Sequence, residues 1–275
     1  MMAVSFSGCA GLPHIARKDA LTAADTCTAS VLTAQAAQSS ADGGPTFAVR
    51  AGGALAASSA WLKVSTACST RFSEGIIRAA AAHSIAVSSA NRAHVGSAFT
   101  SAMSHASLGS ASLSGPEVSS IDKTVVRTMA VSQDKAAYAL EILAARIRPT
   151  DADDETLSLA HRARAASLAE LAMTCSSAEK KNDSCTTTDP RKKMYSVETL
   201  LKDTGTVTDR SSGLTMTTRA SLEMTCALEE IEAAADVSSA QNRAALAHFI
   251  VVDAAHAYEY GYPSTPLPLV EQAAE

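Results

Sequence analysis

Alanine carries much of the apolar content of this chain, and that constrains its fold more than any motif does. Hydrophobic residues make up 47% of the 275 positions, yet aromatics only 4%. A core assembled from methyl groups closes only if backbones approach one another closely, which helices do well. Alanine is also the strongest helix former, whereas strands favour Val, Ile and aromatic residues. The expectation is therefore an all-α chain: an Ala-rich bundle of about five helices.

Periodicity places the helices. From Leu55 to Leu108 an apolar stripe runs through Trp61, Val64, Cys68, Phe72, Ile76, Ala79 and His83 at steps of three and four, one face of a single long first helix. Gly75 and Gly96 are its possible breaks, and turn residues end it over Ser107–Pro116. A second stripe, Ile121, Val125, Met129, Ser132, Ala136, Leu140, Leu143 and Ile147, stops at Pro149. The third helix follows at once. Thr150 is its expected cap, and Asp151, Asp153, Asp154 and Glu155 lie at the positive end of its dipole. Its face is Leu157, Ala160, Arg164, Leu168, Leu171 and Cys175, and the tight Pro149-Thr150 link makes it an antiparallel neighbour of the second. Two more helices are expected, one along Ala220, Met224, Leu228, Ile231 and Ala235. The other begins at a Ser238/Gln241 capping box and faces inward with Ala245, Phe249, Val252 and His256.

The polar segments set the domain boundaries. Residues 1–53 read as a flexible tether, 54–260 as the bundle, and 261–275 as an extended, Pro-containing tail. Within the bundle, 176–218 reads as a polar excursion holding one short helix over Ser196–Asp203. Near the start, Phe6-Ser7-Gly8-Cys9 resembles a bacterial lipoprotein lipobox, with Phe where Leu is usual and without the charged and longer apolar segments of a full signal. The resemblance implies lipidation of Cys9, a periplasmic or outer-membrane location and, through Ala10, sorting to the outer membrane. Cytoplasmic or secreted placement is the alternative.

Cysteine use bears on the compartment. Cys175 and Cys185 are close enough in sequence to bridge the root of the excursion, as in an oxidising compartment. If Cys9 carries lipid, five cysteines remain and at least one is unpaired. Cys68, on the apolar stripe, is the expected odd one, and the pairing of Cys27 and Cys226 stays open.

Few residues suggest chemistry. His83, His94 and His105 recur every eleven positions on one helix face, but about 16 Å apart, too far to share a metal ion. Each would need partners from another helix, such as His161 or His256. Their default role is as polar breaks in an apolar seam. Asp253-x-x-His256 puts a carboxylate and an imidazole on one face. No Glu-x-x-His occurs, so a ferritin-like di-iron site is not expected. Asp253 orienting a core His256 is the default, with a mononuclear site completed by a second helix as the alternative. No Gly-x-Ser-x-Gly, P-loop, Gly-x-Gly-x-x-Gly or His-Glu-x-x-His motif occurs.

Two surface features suggest partners. Lys180, Lys181, Arg191, Lys192 and Lys193 cluster in the excursion of a chain with net charge −5. They form a candidate contact for an anionic surface, or else a solvated loop. Tyr258, Tyr260 and Tyr262 form a candidate interface patch, or else pack along the bundle. The acidic balance argues against nucleic acid, and no apolar run is long enough to span a membrane.

The reading is a non-enzymatic, cofactor-free structural or assembly subunit of the cell envelope. Its expected partners are other envelope proteins or further copies of itself, with the membrane reached through the lipid anchor. Its rivals are a metal- or haem-binding bundle using the histidine seam, and an intracellular or secreted effector-like interaction protein.

Overall fold

A computed structural model describes residues 25–94, 108–109, 112–113, 120–146, 152–174, 188–196, 205–208 and 213–263. Among these the chain is all-α, with seven helices and one two-stranded ribbon. The helices are α1 (Thr26–Gly43), α2 (Phe47–Ala67), α3 (Phe72–Ala93), α4 (Lys123–Arg146), α5 (Ala152–Met173), α6 (Thr218–Ala234) and α7 (Ala240–Glu259). The ribbon pairs β1 (Thr206–Thr208) with β2 (Thr215–Thr217) antiparallel, Val207 opposite Met216.

Side chains begin four of these helices where the chain would otherwise leave amides unpaired. Asp25 accepts from the Thr28 N–H at 2.7 Å, starting α1, and Thr46 accepts from Val49, starting α2. Thr217 caps α6 and Ser239 caps α7. The last differs by one residue from the expected Ser238 start, because the Ser239 hydroxyl is the one that reaches the Asn242 N–H.

Three expectations are corrected. Residues 26–53 are not tether: they form α1 and the first third of α2. The long first helix is two helices, broken at Cys68 rather than at Gly75; Gly96 lies outside the described residues. At Cys68 the backbone turns extended, a 3-10 turn spans Ser69–Arg71, and α3 folds back on α2. A disulfide joins Cys68 to Cys27, so Cys68 is not the odd cysteine; the buried Cys226 is free. The stripe stayed continuous because both arms of the hairpin bury the same kind of face.

Small residues let the arms close. A Cβ at Gly75 would lie 2.5 Å from the Ser65 backbone nitrogen, and one at Gly53 2.8 Å from that of Ala41. Helices therefore touch backbone to backbone here, as an alanine core requires. α7 is the central element, packing on α2, α3 and α6 and burying residues on most of its circumference. The expected antiparallel packing of the second and third helices appears as α4 against α5.

Candidate functional site: a buried polar centre between α4, α5, α6 and α7

Most of the core is methyl groups, but one region is densely ionisable. α4 contributes Gln133, α5 His161 and Arg164, α6 Glu223, Cys226 and Glu230, and α7 Asp253. All seven are at most 7% exposed. His256, a turn beyond Asp253, keeps 18% of its side chain in contact with solvent. Helical spacing brings them together: 161 and 164, 223, 226 and 230, and 253 and 256 each lie on one face of their helix.

Gln133 is the hub. Its Oε1 meets His161 Nδ1 at 2.6 Å, while its Nε2 donates to Glu230 Oε1 and to Asp253 Oδ2, both at 2.6 Å. The other His161 nitrogen, Nε2, lies 2.9 Å from Glu223 Oε1. Arg164 pairs with Asp253 through Nη1, donates through Nη2 to the Phe249 carbonyl at 2.9 Å, and stacks over the Phe249 ring. His256 Nδ1 is 3.5 Å from Glu223 Oε2. Cys226 Sγ lies 3.8 Å from Asp253 Oδ2.

The electrostatics follow from who faces whom. Burial raises the Glu223 pKa, but the opposing charges and hydrogen bonds of His161 and His256 outweigh it. Glu223 is held well below the usual carboxylate range. Burial presses the His161 imidazolium down, but Glu223 and Asp253 outweigh that, so its pKa rises. At Glu230 the balance reverses, because Arg164 and the Gln133 hydrogen bond pull its pKa down by too little. Burial, then the nearby Asp253 charge, push it well above the ordinary value. Burial likewise pushes the Cys226 thiol up, which marks an inert rather than a nucleophilic sulfur. Adjacent carboxylates in one dry site thus have opposite preferences, an arrangement common at functional centres.

A second buried pair ties the bundle outside this centre. Asp154, fully buried, pairs with Arg219, which lies over the Tyr260 ring. Asp154 thus does more than face a helix dipole: it fastens the first turn of α5 to α6.

The sequence-predicted residues divide. Asp253 and His256 do meet further helices, as the alternative reading of that face allowed. The histidine ladder does not exist as one seam. His83 is buried within α3, while His94 is the exposed, left-handed cap that ends it (φ 51°). His105 lies outside the described residues, as do Cys9, Cys175, Cys185, Lys180 and Lys181. Of the basic cluster, Arg191 is paired to Asp189, whereas Lys192 and Lys193 are exposed. That segment straps onto α4, with the Tyr195 hydroxyl donating to Asp134 and Arg127 donating to the Thr188 carbonyl. Tyr258 and Tyr262 are buried against each other edge-to-face and Tyr260 is half-buried, so the tyrosines pack onto the bundle rather than forming a patch.

Gln133, Glu223 and Glu230 escaped sequence reasoning. Their signal was nonetheless present: Glu223 and Glu230 lie seven apart on the same face as Ala220, Ala227 and Ile231, and Gln133 adjoins Ser132. Arg164, already on a core-facing stripe, was the plainest pointer. Compared with known proteins, the chain matches no protein-family model, no curated protein and no solved structure.

Proposed function

We propose that this chain is an extracytoplasmic helical-bundle protein of the bacterial cell envelope, anchored by lipid on Cys9, that serves as a structural or assembly subunit. The Cys27–Cys68 disulfide carries this reading, because such bonds form and persist in oxidising compartments. It also eases the cysteine arithmetic. With Cys27 and Cys68 joined and Cys226 a buried thiol, Cys175 and Cys185 can pair with each other and Cys9 is left for the lipid.

The position of the polar centre favours a non-catalytic role. Seven of its eight side chains are at most 7% exposed, and only His256 reaches solvent. Contacts with partners then fall to the outer faces, where the exposed Lys192 and Lys193 offer positive charge to an acidic protein or headgroup surface.

Thiol titration and intact mass test the proposal on protein produced from its native locus. The expected results are one free thiol after denaturation without reductant, and a diacylglycerol-sized mass addition on Cys9. Six free thiols, or an unmodified Cys9 in the membrane fraction, would overturn it.

A further inference from the structure

The polar centre is buried except at His256, which keeps 18% of its side chain exposed. Glu223, Asp253 and His256 each present a ligand atom within 4.8 Å of the others, and His161, Cys226 and Asp253 form a second triplet that shares Asp253. His256 Nδ1 stands 3.5 Å from Glu223 Oε2, while His161 Nε2 hydrogen-bonds the other oxygen, Glu223 Oε1, at 2.9 Å. Ligand atoms about 2.1 Å from a common ion stand roughly 3.0–3.5 Å apart, from octahedral to tetrahedral angles. The His256–Glu223 separation therefore fits one edge of a coordination shell. Glu223 Oε2, on a fully buried side chain, faces the His256 imidazole at 3.5 Å, longer than a good hydrogen bond.

We propose that this centre binds one divalent first-row transition-metal ion of the zinc or ferrous type, ligated by Glu223, Asp253 and His256, with His161 hydrogen-bonded to Glu223 behind the shell. The imidazole among the donors selects against calcium and magnesium, which take oxygen shells. Arg164 already holds Asp253 Oδ1, and α4 supplies the neutral Gln133 rather than a carboxylate. The centre therefore lacks the four acids that a two-ion site in a helical bundle uses, and the stoichiometry is one. Cys226 hydrogen-bonds Asp253 and orients it without joining the shell. His256 is the ligand that reaches solvent and marks the entrance. None of this depends on the compartment proposed above.

Tag-free protein, stripped with chelator, is titrated with Co²⁺ and then with Zn²⁺. The expected result is one Co²⁺ per chain, with visible ligand-field bands, no thiolate-to-cobalt charge-transfer band, and displacement by Zn²⁺. His256→Ala, at the rim, weakens Co²⁺ affinity by about tenfold or more. His248→Ala, an exposed histidine of the same helix, leaves it unchanged. Should His256→Ala lose its helical circular dichroism, the wild-type stoichiometry and spectrum decide alone. A wild-type chain that gives no cobalt spectrum, or a folded His256→Ala that binds as the wild type does, overturns the proposal. A thiolate band would replace this ligand set with one containing Cys226.

Discussion

Gln133 shows how much one side chain decides in an alanine core. A single amide answers three ionisable groups, accepting at Oε1 and donating twice from Nε2. Replacing it with Leu keeps the volume and strands all three. The expected cost is about 3 kcal/mol or more, read from urea denaturation midpoints. Glu230 makes the pH dependence predictable. Its folded pKa stands well above the ordinary 4.5. Its contribution is therefore fully present below the unfolded value and is lost as pH rises through the folded one. Glu230→Gln, which mimics the protonated side chain, should match the wild type in acid and exceed it in thermal midpoint at about pH 8, flattening the alkaline slope. A variant less stable at both pH values would show that the Glu230 proton is not what the fold retains.

Among the elements, the α1–α2–α3 hairpin succession is held by a cross-link and by close approach. The disulfide closes a span of 41 residues, for which chain-entropy arguments give about 4 kcal/mol. Cys27→Ser is expected to lower stability by roughly 2–4 kcal/mol, read from urea midpoints without reductant. Gly75→Ala tests the contact between α2 and α3. The new methyl would press on Ser65 backbone atoms, which cannot move aside, so a loss of about 1–3 kcal/mol is expected from thermal melts. A neutral or stabilised variant would mean the hairpin opens to admit it. At this scale periodicity also misled. The stripe through Trp61, Cys68 and Phe72 continues across the α2–α3 turn because both arms bury it, so the turn left no mark in the apolar pattern. The marks were the cysteine, whose partner is distant in sequence, and the polar Ser69-Thr70-Arg71 that follows it.

For the molecule as a whole, α7 joins the halves. It packs on α2 and α3 on one side and on α6 on the other, and it supplies Asp253 to the polar centre. One large apolar cluster includes residues from every described helix, and a small alanine cluster lies between α1, α2 and α3. Unfolding should therefore be a single transition. Trp61, the only tryptophan, is buried in α2 and reports the N-terminal half, while far-ultraviolet circular dichroism reports all helices. Their denaturation midpoints are expected to coincide. An earlier fluorescence midpoint would show that α1–α3 open independently.

By itself the sequence determined the class of the fold and the faces of its helices. Alanine content excludes a sheet-based core, Pro149 separates α4 from α5, and spacing places Arg164, Asp253 and His256 on inward faces. Only the tertiary structure decided which inward polar groups meet. Gln133 and Asp253 are 120 residues apart, and Cys27 and Cys68 are 41 apart. Helical periodicity is a local property: it says which way a side chain faces and is silent on what it faces. The partner is chosen by how whole helices pack, and here the small residues of the seams chose it.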